Sequence, residues 1–202
     1  MKLVAASRNP HKVAEIKAIL ETCPGLEIIS LDGYAVPEII EDQDTFLGNA
    51  AKKAVETARA IADKNIAVLA DDSGLSVEAL GGAPGVYSAR YAGEGADSRQ
   101  LCEKLLSELK NVPSARRTAR FSTVLVIADA DGKILYTAEG ICEGLITEEM
   151  RGTNGFGYDP VFYYPPLKKT FAELTSEEKN RCSHRYLALQ DLLTKLEKNC
   201  LY

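Results

Sequence analysis

The run Ile66 to Ala70 is apolar throughout and halts on Asp71-Asp72-Ser73-Gly74. A compact apolar run of strand length, bounded by polar turn residues, reads as a buried strand entering a turn. Such a strand has to be covered, and the chain before it supplies the cover. Lys2 to Ala6 reads as a short buried strand and Leu26 to Ser30 as another. Between them Val13, Ile16, Ala18, Ile19 and Leu20 follow helical spacing with Pro10 at the first helical position, which predicts a helix over 10–20 ended by Cys23-Pro24-Gly25. Thr45 to Asp63 reads as a long Ala-rich helix. This β-α-β-α-β alternation argues for an α/β layer.

Further along, Gly81-Gly82-Ala83-Pro84-Gly85 breaks the chain, and Asp97 to Leu109 predicts a helix. Ala119 to Ala128 and Lys133 to Gly144 are strand-like runs about Asp129-Ala130-Asp131-Gly132, a hairpin signal. Thr175 to Lys198 reads as one closing helix, with Thr175-Ser176-Glu177-Glu178 as its capped start. There is no internal repeat or long linker, so the 202 residues are expected to form a single domain, 1–202, with a mixed sheet and flanking helices.

Composition excludes some functions. The formal net charge is −5, which disfavours a nucleic acid polymer as partner, since that needs a basic stripe. No run approaches the roughly 18 apolar residues of a membrane span. Charges interrupt the first dozen residues, which argues against a secretory signal and for a cytoplasmic protein. Cys23, Cys102, Cys142, Cys182 and Cys200 are scattered and include no C-x-x-C pair, so they read as reduced, mostly buried thiols rather than a zinc site.

Several clusters can carry chemistry. Ser7-Arg8-Asn9-Pro10-His11-Lys12 joins a buried strand to a helix N-terminus, where backbone N–H groups and the helix dipole favour phosphate. Ordinary capping explains the same residues, and no Walker loop is present. Glu38, Glu41, Asp42 and Asp44 precede the long helix, and Asp71 and Asp72 end a buried strand. Magnesium prefers one or two carboxylates plus substrate phosphates, so a sparse acidic pair suffices. A solvated loop and a turn cap are the plainer alternatives for these acids. Asn49 and Lys53 share a helix face with Ala50, Ala54 and Thr57, which would let Lys53 project into a cleft. In Gly155-Phe156-Gly157-Tyr158-Asp159-Pro160, two glycines permit unusual dihedrals around Phe156, whose face could stack on a base while Asp159 accepts from a ring N–H. Lys179, His184 and Arg185 lie around the start of the final helix.

Taken in order, S-R-N-P-H-K at 7–12, F-x-x-N-A-x-x-K-A at 46–54, D-D-S-G-L-x-V at 71–77, L-G-G-A-P-G-V-Y-S-A-R-Y at 80–91, G-F-G-Y-D-P at 155–160, and E-L-T-x-E-E-K-N at 173–180 with S-H-R at 183–185 closely resemble the inosine/xanthosine triphosphate pyrophosphatase family. The resemblance covers Lys2 to about Leu189. It implies an elongated α/β fold with two lobes around a central substrate cleft, a homodimer, and Mg²⁺-dependent hydrolysis of ITP, dITP or XTP to the monophosphate and pyrophosphate. It implies that Ser7, Arg8, Asn9, Pro10, His11, Lys12 and Lys53 hold the triphosphate. Asp72 is then catalytic base and metal ligand, Glu41 a second metal ligand and Ser73 a substrate contact. Phe156, Gly157, Tyr158, Asp159, Lys179, His184 and Arg185 form the base pocket. Donors such as Lys179, His184 or Arg185 near O6 would meet adenine's amino group unpaired and so reject ATP. Members often carry Glu-x-Thr-Gly before the second helix, whereas this chain has Glu41-Asp42-Gln43-Asp44, which leaves Asp42 or Asp44 as alternatives to Glu41. The rival readings are a pyrophosphatase of the septum-formation-inhibitor type acting on pyrimidine nucleotides and a non-catalytic nucleotide-binding module.

Overall fold

Strand alternation sorts the core of this protein. The computed structural model describes residues 1–20, 23 and 25–199; Pro24 and Cys200 lie outside the described residues. Strands β1 (Lys2–Ala5), β2 (Glu27–Ser30) and β3 (Ile66–Val77) sit at one end of a seven-stranded sheet, with β1 parallel to both neighbours. Helix α1 (Pro10–Leu20) links β1 to β2, and α2 (Phe46–Ile61) precedes β3. Helix α3 (Ser98–Glu108) precedes the long strands β4 (Thr118–Ala128) and β5 (Ile134–Ile146). Short strand β6 (Phe162–Tyr164) pairs antiparallel with β5 and β7 (Lys169–Thr170) antiparallel with β6, giving the order β2-β1-β3-β4-β5-β6-β7. Helices α4 (Ser176–Lys179) and α5 (His184–Asn199) end the described chain. The architecture is therefore an α/β mixed open sheet with flanking helices.

The chain divides into two compact units. The first comprises residues 1–72, 123–140 and 185–202, and the second 73–122 and 141–184. In the first, successive strand residues point to opposite faces. Leu3, Ala67, Leu69, Leu125 and Ile127 pack with Ile16, Ile19 and Leu20 of α1 and Ala188, Leu189 and Leu192 of α5. Val4, Val68, Ala70, Val124 and Val126 pack with Ala50, Ala54 and Ala58 of α2, whose small side chains permit close approach. The second unit has its own core, in which Leu75 and Val77 meet Leu101, Leu105, Phe121, Phe162 and Phe171.

Local capping signals translate directly. Thr45 Oγ1 accepts from the Gly48 amide at the start of α2, and Ala62 closes that helix in the left-handed region. Asp97 and Gln100 form a capping box on α3. Thr175 and Glu178 form another, which the Thr-Ser-Glu-Glu pattern anticipates. Cys23, Cys102, Cys142 and Cys182 are free thiols, with Cys102 and Cys142 buried.

Two expectations are corrected. The strand predicted to stop at Ala70 continues to Val77, because both aspartates are paired by side chains from helices and Leu75 and Val77 bury beyond them. The single closing helix is two: α4 ends at Lys179, and α5 begins at His184. The amides of Cys182 and Ser183 fold back on the Lys179 carbonyl, and the chain passes from the second unit to the first between His184 and Arg185.

Candidate active site

The alternation along β3 decides where its two acids go. Asp71 continues the series Ala67, Leu69 and so faces α1 and α5. Asp72 continues Val68, Ala70 and so faces α2. The partners agree with this. Lys12 of α1 and Arg185 of α5 reach Asp71 Oδ2 at 3.0 and 3.2 Å. Asn49 of α2 donates to Asp72 Oδ2 at 3.0 Å.

Asp71 is 1% exposed. Burial alone would raise its carboxyl, but Lys12, Arg185 and Lys53 outweigh it and hold Asp71 well below the usual carboxylate range. Arg185 is itself fully buried and also pairs with Glu15. One oxygen, Asp71 Oδ1, has no hydrogen-bond partner among the described residues. The result is a fixed charge network that holds the Lys12 ammonium in place.

Asp72 is in the opposite condition. Burial, and next the charge of Glu41, push its carboxyl up to about 6, against Lys12, Lys53 and Asn49. Glu41 is ion-paired with Lys53. Burial would lower the Lys53 ammonium, but Asp71, Glu41 and Asp72 hold it above its ordinary value. Asn49 bridges the site to the preceding loop: its Oδ1 accepts from the Gln43 amide at 2.9 Å while its amide nitrogen serves Asp72. A Cβ at Gly48 would lie 2.8 Å from Gln43 Cβ, so this glycine makes room for the loop that carries Glu41 to Asp44.

The arrangement bears on a metal. Among the described residues no group of three or more His, Cys, Asp or Glu could hold one. Two carboxylates, Asp72 and Glu41, are close enough for one to raise the other. That pair fits a magnesium ion that takes its remaining oxygens from water and phosphate.

At the start of α1, Asn9 Oδ1 accepts from the His11 and Lys12 amides at 3.0 and 3.4 Å. Ser7 Oγ accepts from the Asn9 amide, and Arg8 donates to the Val36 carbonyl at 2.6 Å. Asn9 therefore caps the helix, and Pro10 and His11 are exposed. Ser73 lies on β3 just past Asp72 and is half-buried.

The second unit gathers the aromatic set. Lys179 Nζ lies 2.6 Å from Asp159 Oδ2 and 4.7 Å from the Phe156 ring centre. The same carboxylate oxygen accepts from the Phe156 amide at 2.8 Å. Gly155 has φ +75°, and a Cβ there would meet Asp159 Oδ2 at 2.0 Å, so only glycine permits this closure. Phe156 is half-buried. His184 stacks on Phe121 at 4.6 Å. Tyr158 is buried in the core, and its hydroxyl donates to the Ser88 carbonyl at 2.8 Å.

The structure thus assembles Lys12, Glu41, Lys53 and Asp72 in the first unit and Phe156, Asp159 and Lys179 in the second. Arg185, expected with the base-reading residues, is committed to Asp71 and Glu15. The sequence singles out Asp71 beside Asp72 and Asn49 beside Lys53 without giving Asp71 or Asn49 a role of its own, and it does not mark Glu15. Extending the β3 alternation by one residue finds Asp71; nothing local marks Glu15.

Comparison with known proteins adds to this geometry. The model of the Ham1 family matches residues 3–195. A dITP/XTP pyrophosphatase of Desulforamulus reducens is 49% identical over 98% of this chain and 96% of its own. A dITP/XTP pyrophosphatase of Bacillus subtilis is 50% identical, covering 96% of each chain. The solved structure of a HAM1 protein from Coxiella burnetii superimposes with a TM-score of 0.87 at 40% identity, covering 98% of this chain and 99% of that one.

Proposed function

The chain belongs to the Ham1 family, and on that premise we propose that it hydrolyses deaminated purine nucleoside triphosphates (ITP, dITP and XTP) to the monophosphate and pyrophosphate. The observation that carries this reading is the pair of opposed aspartates on β3. Asp71 pairs through one oxygen with two cations, and Asp72 accepts from an amide and feels the charge of a second carboxylate. Such a pair suits hydrolysis at phosphorus, where positioning and electrostatics outweigh covalent chemistry.

In this reading water attacks the α-phosphorus, the bond to the bridging oxygen breaks, and pyrophosphate departs. Asp72, held by Asn49, takes the proton of the attacking water. Lys12 and Lys53 lie against the negative charge that grows on the leaving phosphates. Ser7 to His11 complete the phosphate-binding turn, and Ser73 contacts the substrate beside Asp72. Glu41 and Asp72 would hold magnesium, which spreads charge over the phosphate oxygens when bound. Phe156 offers its face to the base, and Lys179 and His184 supply donors for O6, which a deaminated purine accepts and adenine does not. Gly157, Tyr158 and Asp159 support that turn. Arg185 contributes by orienting Asp71 and, through it, Lys12. We further propose that one nucleotide-hydrolysing domain spans 1–202 and works as a cytoplasmic homodimer; no helix among the described residues is long and apolar enough to cross a membrane.

The test is to incubate purified protein with ITP, XTP, GTP and ATP, with and without Mg²⁺, and to measure pyrophosphate. Metal-dependent release from ITP and XTP with ATP nearly untouched is the expected result. Free phosphate without pyrophosphate would place the attack on another phosphorus, and no turnover of any purine would end this reading.

A further inference from the structure

The turn that presents Phe156 is braced from a helix that none of the site motifs includes. Helix α3 begins at Ser98, and Ser98 Oγ accepts from the Gly157 amide at 2.7 Å. One turn on, the Cys102 thiol donates to the Gly157 carbonyl at 3.4 Å. Positions 98 and 102 are i and i+4 and share a helix face, so α3 grips a single glycine by both of its backbone polar groups. Burial, then the charges of Asp159 and Glu103, push the Cys102 thiol up to about 12, so it stays protonated and remains a donor.

The grip matters because of what it adjoins. The Phe156 amide is fixed on Asp159 Oδ2, and the Phe156 carbonyl accepts from the Asp159 amide at 3.2 Å. The next amide, that of Gly157, is the one fixed on Ser98. Gly157 has φ +61°, a left-handed backbone that turns the chain sharply just past the ring. Phe156 is therefore clamped on both sides, by Asp159 before and by α3 after. With one clamp removed, the ring could pivot about the other. Stacking on a base depends on the height and tilt of the aromatic plane.

We propose that Ser98 is a positioning residue for base recognition, setting through Gly157 the plane that Phe156 offers to the purine. This rests on the reading that Phe156 stacks on the base of a nucleoside triphosphate. Ser98 and the Gly157 it holds both belong to the second unit, whereas Lys12, Lys53, Asp71 and Asp72 belong to the first, so its effect belongs to nucleotide binding and not to the hydrolytic step.

The experiment is steady-state kinetics with ITP on Ser98→Ala, Ser98→Thr, Phe156→Ala and the Ser98→Ala/Phe156→Ala double variant, with inorganic tripolyphosphate as competitive inhibitor. Loss of one neutral hydrogen bond predicts that Ser98→Ala raises KM about fivefold and leaves kcat within about twofold. Ser98→Thr keeps the hydroxyl and restores KM. The Ki of tripolyphosphate, which carries no base, stays at the wild-type value. In the Phe156→Ala background Ser98→Ala adds nothing further, the signature of action through the ring. An unchanged KM in Ser98→Ala overturns the proposal, as does a full effect in the absence of Phe156 or a parallel change in the Ki of tripolyphosphate. Should Ser98→Ala fail to fold, Cys102→Ala gives the same readout through the other polar group of Gly157, a smaller rise in KM at constant kcat. Wild-type protein that released no pyrophosphate from ITP or XTP would remove the underlying reading, a result distinct from active enzyme indifferent to Ser98.

Discussion

Asp71 and Asp72 are adjacent in sequence, both buried, and opposite in condition. On the α1/α5 face Asp71 meets the cations of Lys12 and Arg185 and is held below the usual carboxylate range. On the α2 face Asp72 meets an amide and a second acid, and is pushed up to about 6 by burial and then by Glu41. The difference comes from strand geometry, since one residue's advance along β3 turns the side chain to the other face. A single strand can thus supply a fixed anion that organises cations and a carboxylate whose ionisation is disfavoured until something compensates it. In the proposed mechanism the first serves stability and positioning and the second the chemistry.

The sharpest test of that contrast is Asp72→Asn. Loss of a general base predicts a fall in kcat of about 10³-fold. The replaced group is one whose charge the folded state disfavours, so the variant should melt no lower than wild type. Near-normal turnover, or a marked loss of stability, would show that the two aspartates do not differ as described. On the other face the prediction reverses. Arg185→Ala leaves the buried Asp71 and the partly buried Glu15 with one fewer cation, and breaking a buried pair in this way predicts a loss of about 3–5 kcal/mol in urea unfolding. If Arg185→Ala is as stable as wild type, the α1/α5 network is ornamental.

A smaller effect probes the bridge between Asp72 and the loop before α2. Asn49 is buried, donates to Asp72 and accepts from the Gln43 amide. Asn49→Ala removes a hydrogen bond to a charged acceptor, which predicts a kcat lower by roughly 10- to 100-fold with ITP. An unaffected kcat would leave Asp72 positioned by the strand alone.

These residues also mark the limit of what the sequence discloses. Helices α1, α2 and α3, the Thr175 cap and the hairpin at Asp129 to Gly132 are legible because their signals lie within a few residues. Lys12, Glu41, Lys53 and Asp72 are singled out by the resemblance of their motifs to the family, and the structure pairs Lys53 with Glu41 and Lys12 with Asp71. The continuation of β3 past Asp71 and Asp72 is not, because two acids in a strand read as its end unless Lys12, Asn49 and Arg185 are known to converge on them. The break before His184 is hidden for the same reason: Lys179 is taken by Asp159 and Arg185 by Asp71 and Glu15, partners far away in the chain.

The smallest effect is expected at Lys52, and its neighbour makes the case. Lys52 and Lys53 follow each other on α2 and both pair with an acid of the preceding loop, Lys52 with Asp42 at 2.8 Å and Lys53 with Glu41. The helix turns about 100° between them, so they leave on different sides. Lys53 comes off beside the buried positions 49, 50, 54 and 57 and is held by Asp71, Glu41 and Asp72 together. Lys52 reaches an Asp42 side chain that is 53% exposed, where water and salt screen the pair. Lys52→Ala should therefore leave both kcat and KM for ITP within about twofold, whereas Lys53→Ala loses the charge proposed to lie against the leaving phosphates. Equal losses at the two positions would mean that the loop from Glu41 to Asp44 is held in place mainly by its outer ion pair, and that the Asp72 environment depends on solvent-exposed charge as much as on the buried face of α2. A twofold limit at Lys52, unchanged between low and high salt, would place the organisation of Asp72 wholly on the inner side of the helix.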